Sequence, residues 1–151
     1  MNHKKNVVLV SACLAGLCCR YDGIMAENDE IMALLKAGMA LPVCPEQLGG
    51  LPTPREPSEI QPGYSGEDVL AGKARVLTAS GKDVTQAYVR GAQECLKLCK
   101  TEGVTKAILK AKSPSCGCGV IHTGRFDGAL GPGYGVTAAL LRQNGIAVET
   151  K

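Results

Sequence analysis

Eight cysteines but only two histidines stand among 151 residues, so any metal chemistry in this chain is thiolate chemistry. Soft thiolates select zinc or iron–sulfur clusters. His3 lies near the start of the chain and His122 is isolated from it, which excludes a histidine-rich zinc site. No C-x2-C pair occurs; the close pairs are Cys95 with Cys99, Cys116 with Cys118, and the adjacent Cys18 and Cys19. Local zinc pairs and the bacterial ferredoxin run of cysteines are therefore both missing. A zinc nucleobase deaminase needs H-x-E and P-C-x-x-C, whereas this chain has "HTG" at His122 and "PSCGC" from Pro114. An even cysteine count in a small chain also suits a disulfide framework. Adjacent Cys18 and Cys19 pair poorly, however, and 45% hydrophobic content supports a core without staples, so reduced thiols are expected.

The elements that must position these thiols follow from periodicity and punctuation. Residues 7–10 are apolar and mostly β-branched, a buried strand. Asn28 caps a helix over "DEIMALLKAG", with acids in its first turn and Gly38 as its stop. "MALPV" is a second strand that ends at Cys44. From Pro45 to Gly66, proline and glycine are dense enough to forbid a regular element, and a fixed surface loop is expected. "ARVLTASGKDV" reads as a strand and turn. A long helix runs over residues 85–101, its face made by Val84, Tyr88, Gly91, Ala92, Cys95 and Cys99, with Gly103 closing it. "KAILK" is a central strand, a glycine-rich segment follows, and the chain ends in helix "VTAALLRQN", stop Gly145 and strand "IAVET".

Strands alternating with helices define a single α/β domain over residues 6–151 with a mainly parallel sheet and helices on both faces, preceded by a disordered tail over residues 1–5. In such sheets ligands bind beyond the carboxyl ends of the strands. Cys13, Cys44 and Cys116 each follow a strand, spaced C-x30-C-x71-C, and are expected to share one rim. Three thiolates from separate loops suit a cubane cluster with one iron free of protein ligands, where substrate binds a Lewis acid directly. Two other readings use the same region. One is a zinc-thiolate hydrolase on the same three cysteines. The other is a redox or cluster-carrier module in which Cys18, Cys19 or Cys118 supplies a fourth ligand.

The start "KKNVVLVSAC" also has the outline of a lipoprotein signal. Its apolar run is only four residues, short of the about 7–15 a signal needs, and no polar linker follows Cys13. A cytoplasmic strand is the expectation. No apolar run approaches the roughly 18 residues of a membrane span. The net charge of +3 is mild, and with no Trp, one Phe and four Tyr the chain has little stacking surface for nucleic acid. A small-molecule partner is expected, with no stable nucleic acid partner and no membrane; oligomeric state is not legible.

The strings "VSACLAG", "RYDG", "CPEQLGGLPTPREP", "GKDVTQAYVRGAQ", "AILKAKSPSCG" and "GYGVTAALL", in this order, resemble the thiouracil desulfidase family, once a bacterial family of unknown function. The resemblance spans residues 7–146, and "CPE", "GGLPTPR" and "SPSCG" together make it specific. It implies a Rossmann-like domain with a [4Fe-4S] cluster on Cys13, Cys44 and Cys116, and non-redox removal of sulfur from 2-thiouracil to give uracil and hydrogen sulfide. It also implies catalytic roles for Glu46 of "CPE" and Ser113, the first serine of "SPSCG". Glu46 would activate water for attack on the thiocarbonyl carbon. Among the remaining residues, Cys95 and Cys99 are expected in the core. Arg55 is expected to pair with an acid or hold the proline-rich loop, and Asp22 to make a turn. Tyr21 and Phe126 are candidates to stack on a pyrimidine or fill the core, and "GPGYG" to form an anion-binding nest.

Overall fold

A computed structural model describes residues 6–151; the expected tail over residues 1–5 lies outside the described residues. Strand β1 (Val8–Ser11) runs into a tight helical turn over Ala12–Ala15, and an irregular loop leads to α1 (Asp29–Lys36). The Asn28 side chain accepts the Ile31 N–H at 3.2 Å, the cap expected for α1. Then come β2 (Ala40–Val43), α2 (Pro45–Leu48), β3 (Ser58–Ile60), α3 (Gly66–Leu70) and β4 (Val76–Thr78). The second half holds α4 (Thr85–Glu102), β5 (Lys106–Leu109), β6 (Val120–His122), β7 (Leu130–Pro132), α5 (Val136–Gln143) and β8 (Ala147–Thr150).

The central sheet has the order β2-β1-β5-β8, with every neighbouring pair parallel. Alternation along its buried strands separates two cores. Leu9, Ala107 and Leu109 face one side, packed with Cys95 and Cys99 of α4 and Ala138 and Leu141 of α5. Val10 and Ile108 face the other, packed with Ile31 of α1 and with Cys13, Cys19 and Cys44. Helices thus cover both faces, as a parallel sheet with two apolar faces requires.

The proline-rich stretch departs from the expected featureless loop. Pro45 opens α2, where a missing N–H costs nothing at the first helical position. Residues 58–60 pair antiparallel with β4, and the Pro57 carbonyl just before them accepts the Ala79 N–H at 3.0 Å. The glycine-rich segment after Cys116 likewise contains the β6–β7 hairpin.

The apolar face of α4 is as expected: Cys95 is fully buried and Cys99 nearly so. Burial drives the Cys95 thiol far above its ordinary range and the Cys99 thiol up to about 11. Thiolates, not thiols, react with alkylating agents. Iodoacetamide at neutral pH should therefore modify the exposed Cys18 while Cys95 and Cys99 stay unmodified until denaturant is added. Mass spectrometry of digests reads this, and early labelling of Cys95 would mean that the α4 face is not packed.

Candidate active site

Three adjacent strands deliver the site. Cys13 lies two residues past the end of β1, Cys44 directly follows β2, and Cys116 sits in the loop after β5. All three are buried, and all three line one cavity of about 500 Å³ at the carboxyl edge of the sheet. That volume suits a small-molecule site. Ser11, the last residue of β1, ties the strand ends together. Its hydroxyl accepts the Lys110 N–H at 2.8 Å and donates to Cys116 Sγ at 3.4 Å.

Glu46 projects from α2 into the same cavity, two residues after Cys44. Its Oε1 accepts from Ser115 Oγ at 2.6 Å, and its Oε2 lies 3.5 Å from Arg55 Nη2. Both members of this ion pair are largely shielded from water, at 9% and 12% side-chain exposure, so it is not a weak surface contact. Arg55 also donates to the Pro52 carbonyl, to Thr53 Oγ1 and to the Cys19 carbonyl, at 3.0, 3.0 and 3.1 Å. It thus both pairs with an acid and holds the proline-rich loop, the two roles expected of it.

The serines divide their work in a way the motif alone does not show. Ser113 lines the cavity, and its Oγ accepts the Cys116 N–H at 2.7 Å. Ser115, fully buried, is the serine in contact with Glu46, and its Oγ also lies 3.5 Å from Cys116 Sγ. Tyr88, expected only on the apolar face of α4, also lines the cavity, as does Ser11, and Ser115 braces it; no motif marks these three as site residues. Ser11 carried a signal in hindsight, as a polar residue ending an otherwise apolar strand.

The thiols differ in electrostatic setting. Hydrogen bonding from the Cys19 thiol lowers both Cys13 and Cys44 below the ordinary thiol range, against opposing burial and the Glu46 charge. Burial, reinforced by Glu46, pushes the Cys116 thiol up to about 12, with Ser11 and Ser115 acting in the other direction. Cys18 is exposed, and Cys118 is outside the cavity with its sulfur 3.7 Å from the Val148 carbonyl. Tyr21 and Phe126 are neither core nor buried; both stand partly exposed along the cavity lining, where a planar ring can meet them. Asp22 makes the expected turn, accepting the Ile24 N–H at 3.0 Å. The "GPGYG" stretch is not an anion nest. The amides of Gly133 and Gly135 are spent on the Gly119 and Gly117 carbonyls, at 3.1 and 2.8 Å, and that of Val136, just beyond the stretch, on the Pro114 carbonyl at 2.8 Å.

A thiol-lined cavity with an ion-paired carboxylate, at the carboxyl edge of a parallel sheet, defines a class: an α/β protein equipped for thiolate-bound metal and general-base chemistry. Comparison with known proteins narrows the class. A family model described as 2-thiouracil desulfurase matches residues 8–151. The chain is 50% identical over 142 residues to the uncharacterized protein YbbK of Bacillus subtilis (strain 168), covering 94% of this chain and 93% of that one. It superposes with a TM-score of 0.85 on a structure of the [4Fe-4S]-dependent thiouracil desulfidase TudS, at 46% identity, covering 97% of this chain and 91% of that one. The chain belongs to the 2-thiouracil desulfurase family.

The donor set fits an iron–sulfur cluster. Cys13, Cys44 and Cys116 are soft donors on three different loops, in an apolar wall that also carries hydroxyl donors to sulfur. Among the described residues no three His, Cys, Asp or Glu side chains close on a single metal-ion position. Thiolates set around a cavity suit a cubane, in which each binds a different iron.

Proposed function

We propose that this protein removes sulfur from 2-thiouracil, giving uracil and hydrogen sulfide, with a [4Fe-4S] cluster held by Cys13, Cys44 and Cys116. The observation that carries the reading is the convergence of these three thiols and Glu46 on one cavity, in a chain of this family. When bound, the cluster supplies a Lewis-acidic iron, free of protein ligands, for the soft thiocarbonyl sulfur.

The rest of the chemistry belongs to the chain. Glu46 takes a proton from water as its oxygen attacks the ring carbon that bears sulfur. Ser115 and Arg55 hold the two carboxylate oxygens in fixed directions, so the base is oriented before substrate arrives. Ser113 places a hydroxyl in the cavity to position substrate or water. Tyr21 and Phe126 flank the pyrimidine. Water supplies the oxygen of uracil and both hydrogens of hydrogen sulfide, so no electron enters or leaves.

We place the protein in the cytoplasm, on the support of eight free cysteines, which a reducing compartment preserves. Among the described residues no helix is long and apolar enough to cross a membrane.

Iron and acid-labile sulfide content of anaerobically purified protein tests the reading. About four irons with matching sulfide are expected. Serine at Cys13, Cys44 or Cys116 should lower the content severalfold, while serine at Cys18 or Cys118 leaves it unchanged. One zinc per chain with failed reconstitution would defeat the proposal.

A further inference from the structure

Ser11 is the polar residue of β1, and it is 3% exposed. A hydroxyl buried to this degree needs hydrogen-bond partners to offset its lost hydration. Alternation along the strand sets Ser11 on the same face as Leu9, and Cys116 packs into the core on that face. Cys13 and Cys44 belong to the opposite core. The strand therefore presents its hydroxyl to Cys116 among the three proposed ligands.

The bonding around this hydroxyl fixes where its proton goes. Serine has one proton to donate and lone pairs to accept. The Lys110 N–H, 2.8 Å away, can only donate, so it occupies a lone pair of Ser11 Oγ. The proton is left for Cys116 Sγ at 3.4 Å, and a metal-bound thiolate can only accept. Ser115 also lies near that sulfur, at 3.5 Å, but its proton is directed to Glu46 Oε1 at the shorter distance of 2.6 Å. Cys44 has neighbours of the opposite kind: Glu46 Oε2 at 3.4 Å and the Cys19 carbonyl at 3.6 Å, both acceptors. Among the described residues, hydroxyl donors to a proposed ligand sulfur are confined to Cys116.

We propose that Ser11 tunes the cluster through Cys116. Its hydroxyl donates to the thiolate and draws electron density from sulfur, and so from iron. The iron without a protein ligand is then a stronger Lewis acid for the thiocarbonyl sulfur. The inference rests on the cluster reading above. Ser11 acts only through Cys116 and is a positioning residue. The same donor stabilises the extra negative charge of a reduced cluster. The reduction potential therefore reports this hydrogen bond, although turnover itself transfers no electron.

The potential of the holoprotein tests this apart from activity. Ser11→Ala removes the donor and is expected to lower the potential, with iron and sulfide content at the wild-type level. Redox titration followed by electron paramagnetic resonance of the reduced cluster reads the shift. Thiouracil turnover should fall about tenfold or more, the usual loss when a group bonded to a metal ligand is removed. The sign separates tuning from damage: a loosened strand end that admits water to the cluster stabilises the reduced charge and raises the potential. Ser115→Ala, whose lost proton served Glu46, should slow turnover with a smaller change in potential than Ser11→Ala. An unchanged or raised potential in Ser11→Ala overturns the proposal, and so does an equal shift in Ser115→Ala. If Ser11→Ala assembles no cluster, neutron diffraction from wild-type holoprotein crystals exchanged into heavy water decides. A Ser11 deuteron directed at Cys116 Sγ supports the proposal, and one directed elsewhere overturns it. Wild type without about four irons and matching sulfide defeats the cluster reading itself. An intact cluster with an unmoved potential defeats only the part given to Ser11.

Discussion

Replacing Glu46 by glutamine is expected to slow thiouracil turnover by about a hundredfold or more while iron and sulfide content stay at the wild-type level. Glutamine keeps the volume of the side chain and an oxygen able to accept from Ser115, so the cavity wall is preserved. What it loses is the ability to take a proton from water, together with the charge that faces Arg55 across 3.5 Å. General-base catalysis contributes roughly 10²–10⁴ in rate, which sets the size of the loss. The substitution removes a proton acceptor used in the transition state rather than a group assigned to binding, so the fall should be in kcat rather than in KM. Steady-state release of uracil, with cluster content measured on the same preparation, gives the answer. Turnover within a few-fold of wild type on a full cluster would move the base elsewhere.

Gly91→Ala, on α4 against the residue that follows Cys44, should damage both stability and the site. Helix propensity alone favours the change, since alanine is better than glycine inside a helix by about 1 kcal/mol. Packing opposes it more strongly. A Cβ at Gly91 would lie 2.0 Å from the Pro45 carbonyl oxygen, and one at Gly49 would lie 1.9 Å from the Ala87 carbonyl oxygen. These two glycines let the backbones of α2 and α4 touch, and α2, which directly follows Cys44, is the segment that holds Glu46. Neither obstructing atom is the end of a flexible side chain, so the helices must separate. Overpacking of this kind costs about 1–3 kcal/mol or more. The net loss corresponds to a Tm lowered by several degrees, at roughly 2–4 °C per kcal/mol for a chain of this size. Thermal unfolding and turnover should fall together, because the carboxylate moves with the backbone. A variant more stable than wild type would show that helix propensity outweighs the contact.

The same logic places Gly135. A Cβ there would meet the Ser115 carbonyl carbon and oxygen at 2.4 and 2.5 Å, so the start of α5 packs directly on the peptide that precedes Cys116. The glycines of "GPGYG" support the cysteine loop from behind, which is why their amides are not free to receive an anion.

The amino-acid sequence by itself determined the frame and the reach of the site. The β-branched run of β1, the three- and four-residue steps along α4, and glycine stops such as Gly103, which takes the left-handed conformation at φ 68°, each act locally. Each is therefore readable without knowing the fold. Once a parallel sheet follows from alternating strands and helices, the positions of Cys13, Cys44 and Cys116 after three strands bring them to one edge. The tertiary structure decided everything that depends on loop direction. Whether Ser113 or Ser115 meets Glu46 is set by the turn within "SPSCG", which has no period to read. Arg55 reaches the base across a proline-rich loop whose path depends on β3 pairing with β4. Cys19 rather than its neighbour Cys18 faces the cavity because loop backbone, unlike a strand or helix, follows no side-chain repeat. Side chains in regular elements take their directions from backbone geometry; those in loops take them from what the loop is packed against.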